Sequence, residues 1–303
     1  MNKPLRVVSS LALSAIVAGF GAGVSHAANS PRATASAASS MSWPAELASL
    51  RQNGVYVGFA NEAPYAYATS DGTLIGENPA VADAVLAKLG IKTVNGVLTE
   101  FSSLIPGLLA HRFNIITADM AIRPARCQQV AFANPDSSYG EALAVKSGNP
   151  LKLHSYVDVA HSKARIAVMA GADETDLLMA AGTSKNQLVL VPDQPSGLAA
   201  LQDGRADAFT LTSASLQYLL DKAKPQGVER VSRFAQPMVK GKSVLSYGAV
   251  VFRKDDSAFR TAYNQQLEKM RRSGELARLI RPFGFTAQDV PSPKVTIAKL
   301  CQG

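Results

Sequence analysis

From Val55 onward, short apolar runs alternate with segments whose apolar residues recur every three or four positions, the pattern of an α/β protein. Val55–Phe59 reads as a first strand. Val81, Val85, Leu86 and Leu89 then mark the core face of a helix that Gly90 ends. A second series follows the turn at residues 147–150: a strand over 165–168, a helix from Glu174, a strand over 188–191, a helix from Ser196 and a strand over 208–211. Residues 246–252 predict a strand leading back to the first series. A long helix over 257–272 follows, with Phe259, Tyr263, Leu267 and Met270 on its buried side. The order is therefore lobe one, lobe two, lobe one, with crossing strands near 143–145 and 249–252 acting as a hinge that closes on a ligand.

Residues 100–135 carry the densest chemical signal. Phe101, Leu104, Ile105 and Leu108 recur at helical spacing, and residues 115–118 form a buried strand. Pro124 is placed to open a helix, which puts Arg126 in its first turn. A guanidinium beside free backbone N–H groups is equipped to hold a carboxylate bidentately. The preceding Arg123 reads as a surface charge, and Tyr67 and Tyr139 are further aromatic candidates for a cleft.

The N-terminus changes the setting. Lys3 and Arg6 precede an apolar run, and Ser25, His26 and Ala27 flank a cleavage point, so residues 1–27 read as a secretory signal peptide. Residues 28–43, rich in Ala and Ser, read as a disordered spacer. The formal net charge is +8, but the basic residues are dispersed and no aromatics interleave with them, which argues against nucleic acid. An exported chain with two cysteines, Cys127 and Cys301, favours a disulfide between them over a zinc site. No phosphate loop, CxxC or Ser-His-Asp order is present, and no cofactor or metal is expected.

Residues 58–65 (GFANEAPY), the 100–135 segment and residues 145–150 resemble the extracellular solute-binding proteins of the polar amino-acid ABC importers (family 3) over about residues 55–303. Phe59 to Tyr65, Thr99-Glu100-Phe101, Leu104 to Leu108 and Ala298 to Cys301 are most similar to the ectoine/hydroxyectoine receptors within that family. The resemblance implies a type II periplasmic binding protein fold, α/β, with two lobes joined by a two-strand hinge. Lobe one would span 44–145 and 249–303, and lobe two 146–248. It implies a periplasmic, monomeric protein that delivers a small zwitterionic solute to a membrane permease, with no catalytic residue. By the same resemblance Arg126 clamps the ligand carboxylate, Glu62 faces its cationic ring, and Tyr65 and Phe101 pack on that ring. Ala172 and Asp173 offer contacts from lobe two.

Departures from the family pattern bear on the solute: one supports the ectoine-like reading and two run against it. Thr212 stands where amino-acid receptors carry an aspartate for the α-ammonium, which points to a solute without a free one. Ala121 replaces a third aromatic of the ectoine receptors, and Arg123 adds a charge. Two alternatives remain: a periplasmic dehydratase using Glu62 or Glu174 as general acid, and a ligand-sensing module.

Overall fold

The computed structural model describes residues 42–239, 242–243 and 245–302. The expected leader and nearly all of the spacer lie outside them. Among the described residues, no helix is long and apolar enough to cross a membrane.

Two sheets organise the chain. In the first, the strands run in the order Val94–Leu98, Val55–Phe59, Ile115–Ala121, Ser246–Phe252, Ala131–Phe132, with Ser137–Tyr139 also paired to Ser246–Phe252. Its first three strands are parallel, and Ser246–Phe252 runs against them. Ile115–Ala121 is buried at every position, as a strand covered on both faces requires. The second sheet has the order Leu188–Val191, Ile166–Met169, Ala208–Thr212, Glu141–Lys146, Val228–Arg230.

The chain crosses between the sheets at Gly140. Ser137–Tyr139 pairs in the first sheet, and Glu141–Lys146 pairs in the second. It returns just before Ser246–Phe252, which lies wholly in the first sheet. The crossings therefore sit a few residues N-terminal to the expected ones, and the boundaries drawn at 145 and 249 fall inside these two strands. Gln236 steadies the outward crossing, since its side chain accepts from the Glu141 N–H at 2.7 Å and donates to the Glu141 carbonyl at 2.9 Å. The result is the type II periplasmic binding protein architecture, two α/β lobes joined by a two-strand hinge.

Local chemistry accounts for the helices that frame the cleft. Glu77–Lys88 buries Val81, Ala82, Val85 and Leu86 against the first sheet. Gln194–Gln202 starts two residues earlier than expected because Asp193 caps it, accepting from the Ser196 N–H at 2.8 Å, with Pro195 in the first turn. Ser257–Arg272 buries Phe259, Tyr263, Leu267 and Met270, as its spacing predicts. Trp43, assigned from sequence to the spacer, instead opens the helix Trp43–Asn53 and stacks on Phe259 at 5.7 Å between ring centroids.

A carboxylate-lined cavity between the lobes

Between the lobes lies a small cavity. Its walls are Glu62, Tyr65, Phe101, Ala118, Asp119, Ala121 and Tyr139 on one side, and Ala172, Asp173, Glu174 and Thr212 on the other. The sequence-predicted residues Glu62, Tyr65, Phe101, Ala172, Asp173 and Thr212 are thus brought together. Asp119, Tyr139 and Glu174 join them.

The acids dominate the walls. Glu62 is buried, and its carboxylate accepts from the Ser215 hydroxyl at 3.4 Å. Burial pushes its pKa up to about 7, helped by the carboxylates of Asp173 and Asp119. Burial likewise lifts Asp119 to about 7 and the neighbouring Glu141 to about 8, and carries Glu174 well above the usual carboxylate range. Asp173 differs. Against the cost of burial, the guanidiniums of Arg123 and Arg126 hold it below its ordinary value.

Arg123 is not a surface charge. Its Nε donates to Asp173 Oδ2 at 3.0 Å, its Nη2 pairs with the same oxygen, and Nη2 also donates to Ser246 Oγ at 2.7 Å. This ion pair joins lobe one to lobe two beside the return strand. It also occupies the Asp173 carboxylate, which sequence reasoning offered to the ligand and which makes no cap for the helix Glu174–Ala180.

Arg126 stands next to the cavity rather than in its wall. It does lie within a short helix that Pro124 opens, Pro124–Cys127. Nη1 donates to the Ala121 carbonyl at 2.8 Å and Nη2 to the Gly171 carbonyl at 2.9 Å, while the guanidinium sits 5.6 Å from the centre of the Phe101 ring. Gly171 belongs to lobe two, so Arg126 also spans the cleft. A third contact runs from Gln194 Nε2 to the Ala63 carbonyl at 3.3 Å. The lobes are closed on the cavity.

Thr212 faces the cavity, and its hydroxyl also accepts from the Ser215 N–H at 3.3 Å, capping the helix Ser213–Ala223. It adds no charge. Tyr139 lies beside Tyr65, ring centroids 5.2 Å apart, and supplies an aromatic face near the position that Ala121 leaves small. Tyr67 instead pairs with Tyr218, and neither residue lines the cavity. The signal for Asp119 was a lone acid in the apolar run that follows Ile115. Tyr139 and Glu174 were candidates from the sequence, as a cleft aromatic and as a general acid, and both line the cavity.

Cys127 and Cys301 are disulfide-bonded, with Cα atoms 5.7 Å apart. The bond fastens the C-terminal helix Ile297–Gln302 to the helix that carries Arg126. Among the described residues, no group of three His, Cys, Asp or Glu side chains is arranged to hold a metal ion.

Comparison with known proteins places this geometry. The chain is 37% identical over 250 residues to a probable amino-acid ABC transporter periplasmic-binding protein of Sinorhizobium fredii, covering 82% of each chain. The crystal structure of EhuB in complex with hydroxyectoine superposes with a TM-score of 0.77 at 37% identity, covering 84% of this chain and 97% of that one. The lysine/arginine/ornithine-binding periplasmic protein of Escherichia coli is 24% identical, over 73% of this chain and 83% of its own. Residues 55–286 match a single family across both lobes and both crossings, and the chain belongs to the bacterial extracellular solute-binding proteins, family 3.

Proposed function

We propose that this amino-acid ABC importer binding protein captures a small zwitterion of the ectoine and hydroxyectoine class, or a closely related amino-acid derivative, and hands it to a membrane permease. The observation that carries the reading is the make-up of the cavity. Carboxylates and aromatic faces enclose it, and among the described residues the one cation that bonds to a wall acid, Arg123, is committed to Asp173. A delocalised cation between flat rings and beside Glu62 replaces its lost water there. EhuB, at 37% identity, was crystallised with hydroxyectoine, which supports the same class.

In this reading Arg126 meets the solute carboxylate by exchanging its bonds to the Ala121 and Gly171 carbonyls. Tyr65, Phe101 and Tyr139 pack on the cation, and Ala172 limits its length from lobe two. Thr212 offers a neutral hydroxyl, so a free α-ammonium placed beside it would meet no opposite charge. The N-terminal leader directs the chain to the periplasm, where it works as a monomer.

Isothermal titration of the ligand-free mature protein tests the reading. Saturable one-to-one binding of hydroxyectoine or ectoine is expected, and binding of L-arginine with no heat from either would move the ligand to the ordinary amino acids. A second reading, a dehydratase, is favoured by Glu174 in the cavity wall, whose carboxyl burial holds well above the usual carboxylate range, as a general acid requires. Turnover rather than stoichiometric closure would establish it.

A further inference from the structure

The loop that carries Glu62 is a closed unit. The Glu62 N–H donates to the Ala66 carbonyl at 2.8 Å, the Ala66 N–H donates back at 3.1 Å, and Asn61 Oδ1 accepts from the Ala68 N–H at 2.9 Å. Tyr67 follows Ala66 directly and pairs with Ile75 in the small hairpin of Tyr67–Ala68 and Leu74–Ile75. The backbone of Tyr67 is thereby tied to that of Glu62. Across the cleft stands the lobe-two helix Ser213–Ala223. It starts at the hinge, where the Ser213 N–H donates to the Gly140 carbonyl at 2.8 Å, and advances about 1.5 Å per residue from there. Ser215 donates to Glu62 at 3.4 Å. One turn further on the same face, Tyr218 meets Tyr67, with ring centroids 5.7 Å apart and planes inclined by 52°. Lys222, a further turn along, sets its ammonium 5.6 Å from the centre of the Tyr218 ring. The two hydroxyls are neighbours as well: burial first and the Tyr218 hydroxyl next push the Tyr67 pKa up to about 12. Both tyrosines are half-buried, and neither lines the cavity.

We propose that Tyr67 and Tyr218 are positioning residues for capture, an aromatic clasp farther from the hinge than the Glu62–Ser215 contact, which holds the Glu62 loop against lobe two and slows the escape of the bound solute. The inference rests on the capture reading argued above and adds what retains the solute once the lobes have met. Tyr67 belongs to lobe one and Tyr218 to lobe two, so rotation about the hinge parts them, and the pair exists only in the closed arrangement. A contact made only on closure stabilises the closed complex and leaves the first encounter with the open cleft alone. Its effect therefore falls on the dissociation rate. Because neither ring lines the cavity, the clasp acts through Glu62 and its loop rather than by touching the solute.

Stopped-flow binding of hydroxyectoine to the mature protein tests this in Tyr67→Ala, Tyr218→Ala, the double variant and Tyr67→Phe. Each alanine variant should release the solute about 2–10-fold faster at an unchanged association rate, the share of one aromatic pair. The double variant should release it no faster than the single ones, because either change alone removes the pair. Tyr67→Phe keeps the ring and should stay near the wild type. Wild-type dissociation in both alanine variants overturns the inference while leaving the capture reading intact. Effects that multiply in the double variant also overturn it, since the tyrosines would then act independently. So does a slower association with release unchanged, which would give each tyrosine a structural part within its own lobe. A wild type that binds no hydroxyectoine overturns the capture reading, and small-angle scattering of the ligand-free proteins then decides the clasp. A larger radius of gyration in the double variant than in the wild type supports it, and equal radii overturn it.

Discussion

Two arginines three residues apart divide the labour of this cleft, and their substitutions separate the two roles. Among the described residues, Arg126 makes one hydrogen bond to lobe two, to the Gly171 carbonyl, so Arg126→Ala should leave the fold intact by circular dichroism. Losing a bidentate partner for the solute carboxylate should reduce affinity on the order of 100-fold; affinity kept in that variant would remove Arg126 from the site. Arg123→Ala acts differently, because it strands the buried Asp173 carboxylate without its guanidinium. Removing one member of such a pair costs about 3–5 kcal/mol when it is fully buried and less here, where the Arg123 side chain keeps 20% exposure. Its signature should be a lower melting temperature together with weaker binding, and Arg123→Lys should recover part of both. The place of Arg126 in a short helix was legible from Pro124, because proline at a helix start fixes where the next turn points. Arg123 was not: its acceptor lies 50 residues away on the other lobe, and no local pattern encodes that distance.

At the scale of elements, the sequence was clearest where local periodicity decides the structure. Val55–Phe59 and Ser257–Arg272 fall where their apolar spacing places them. Val94–Leu98 had no such pattern, since an edge strand with Gly96 in its middle is held by pairing with Val55–Phe59 rather than by burial. The crossings shifted for a related reason, because the residue at which a strand changes partner depends on the neighbouring sheet. Gly171 shows what closure demands of an element. It has φ at 82°, and a Cβ there would come within 2.9 Å of Ser102 Cα on the opposite lobe. Gly171→Ala should therefore cost about 1–2 kcal/mol from the backbone and also hold the lobes apart. Binding should weaken more than the melting temperature of the ligand-free protein implies, and an unchanged affinity by titration would show that the lobes close without this contact. The Cys127–Cys301 bond closes a loop with a sequence separation of 174, for which chain entropy allows on the order of 4–5 kcal/mol as an upper bound. Reduction should lower the melting temperature and loosen the helix carrying Arg126; a melt unchanged by reductant would mean that the terminal helix docks without it.

For the whole molecule, the concentration of buried acids makes stability and binding respond to pH in opposite directions. Glu62 and Asp119 are raised to about 7 and Glu141 to about 8 in the folded state, from ordinary values of 4.5, 3.8 and 4.5. A carboxyl with a raised folded pKa contributes stability that is complete below its unfolded value and is lost as pH climbs through its folded one. The ligand-free protein should therefore melt highest near pH 4 and progressively lower as the pH climbs from there to about 8, where these groups are ionised in both states. Asp173 has the opposite sign, being held below 3.8 by Arg123 and Arg126 against burial, so it sets a loss of stability only in stronger acid. A cationic solute reverses the trend at the cavity. It favours the ionised forms of Glu62 and Asp119, so binding expels their protons and affinity should rise as pH increases through about 7. Titration calorimetry in two buffers of different ionisation enthalpy, at a pH near 6.5, reads those protons directly as a buffer-dependent heat. Heats identical in both buffers, with an affinity flat from pH 6 to pH 8, would mean that the solute cation does not meet these acids. The same protein that is most stable in mild acid without its ligand should then hold that ligand best in mild base, because one set of carboxylates serves both balances.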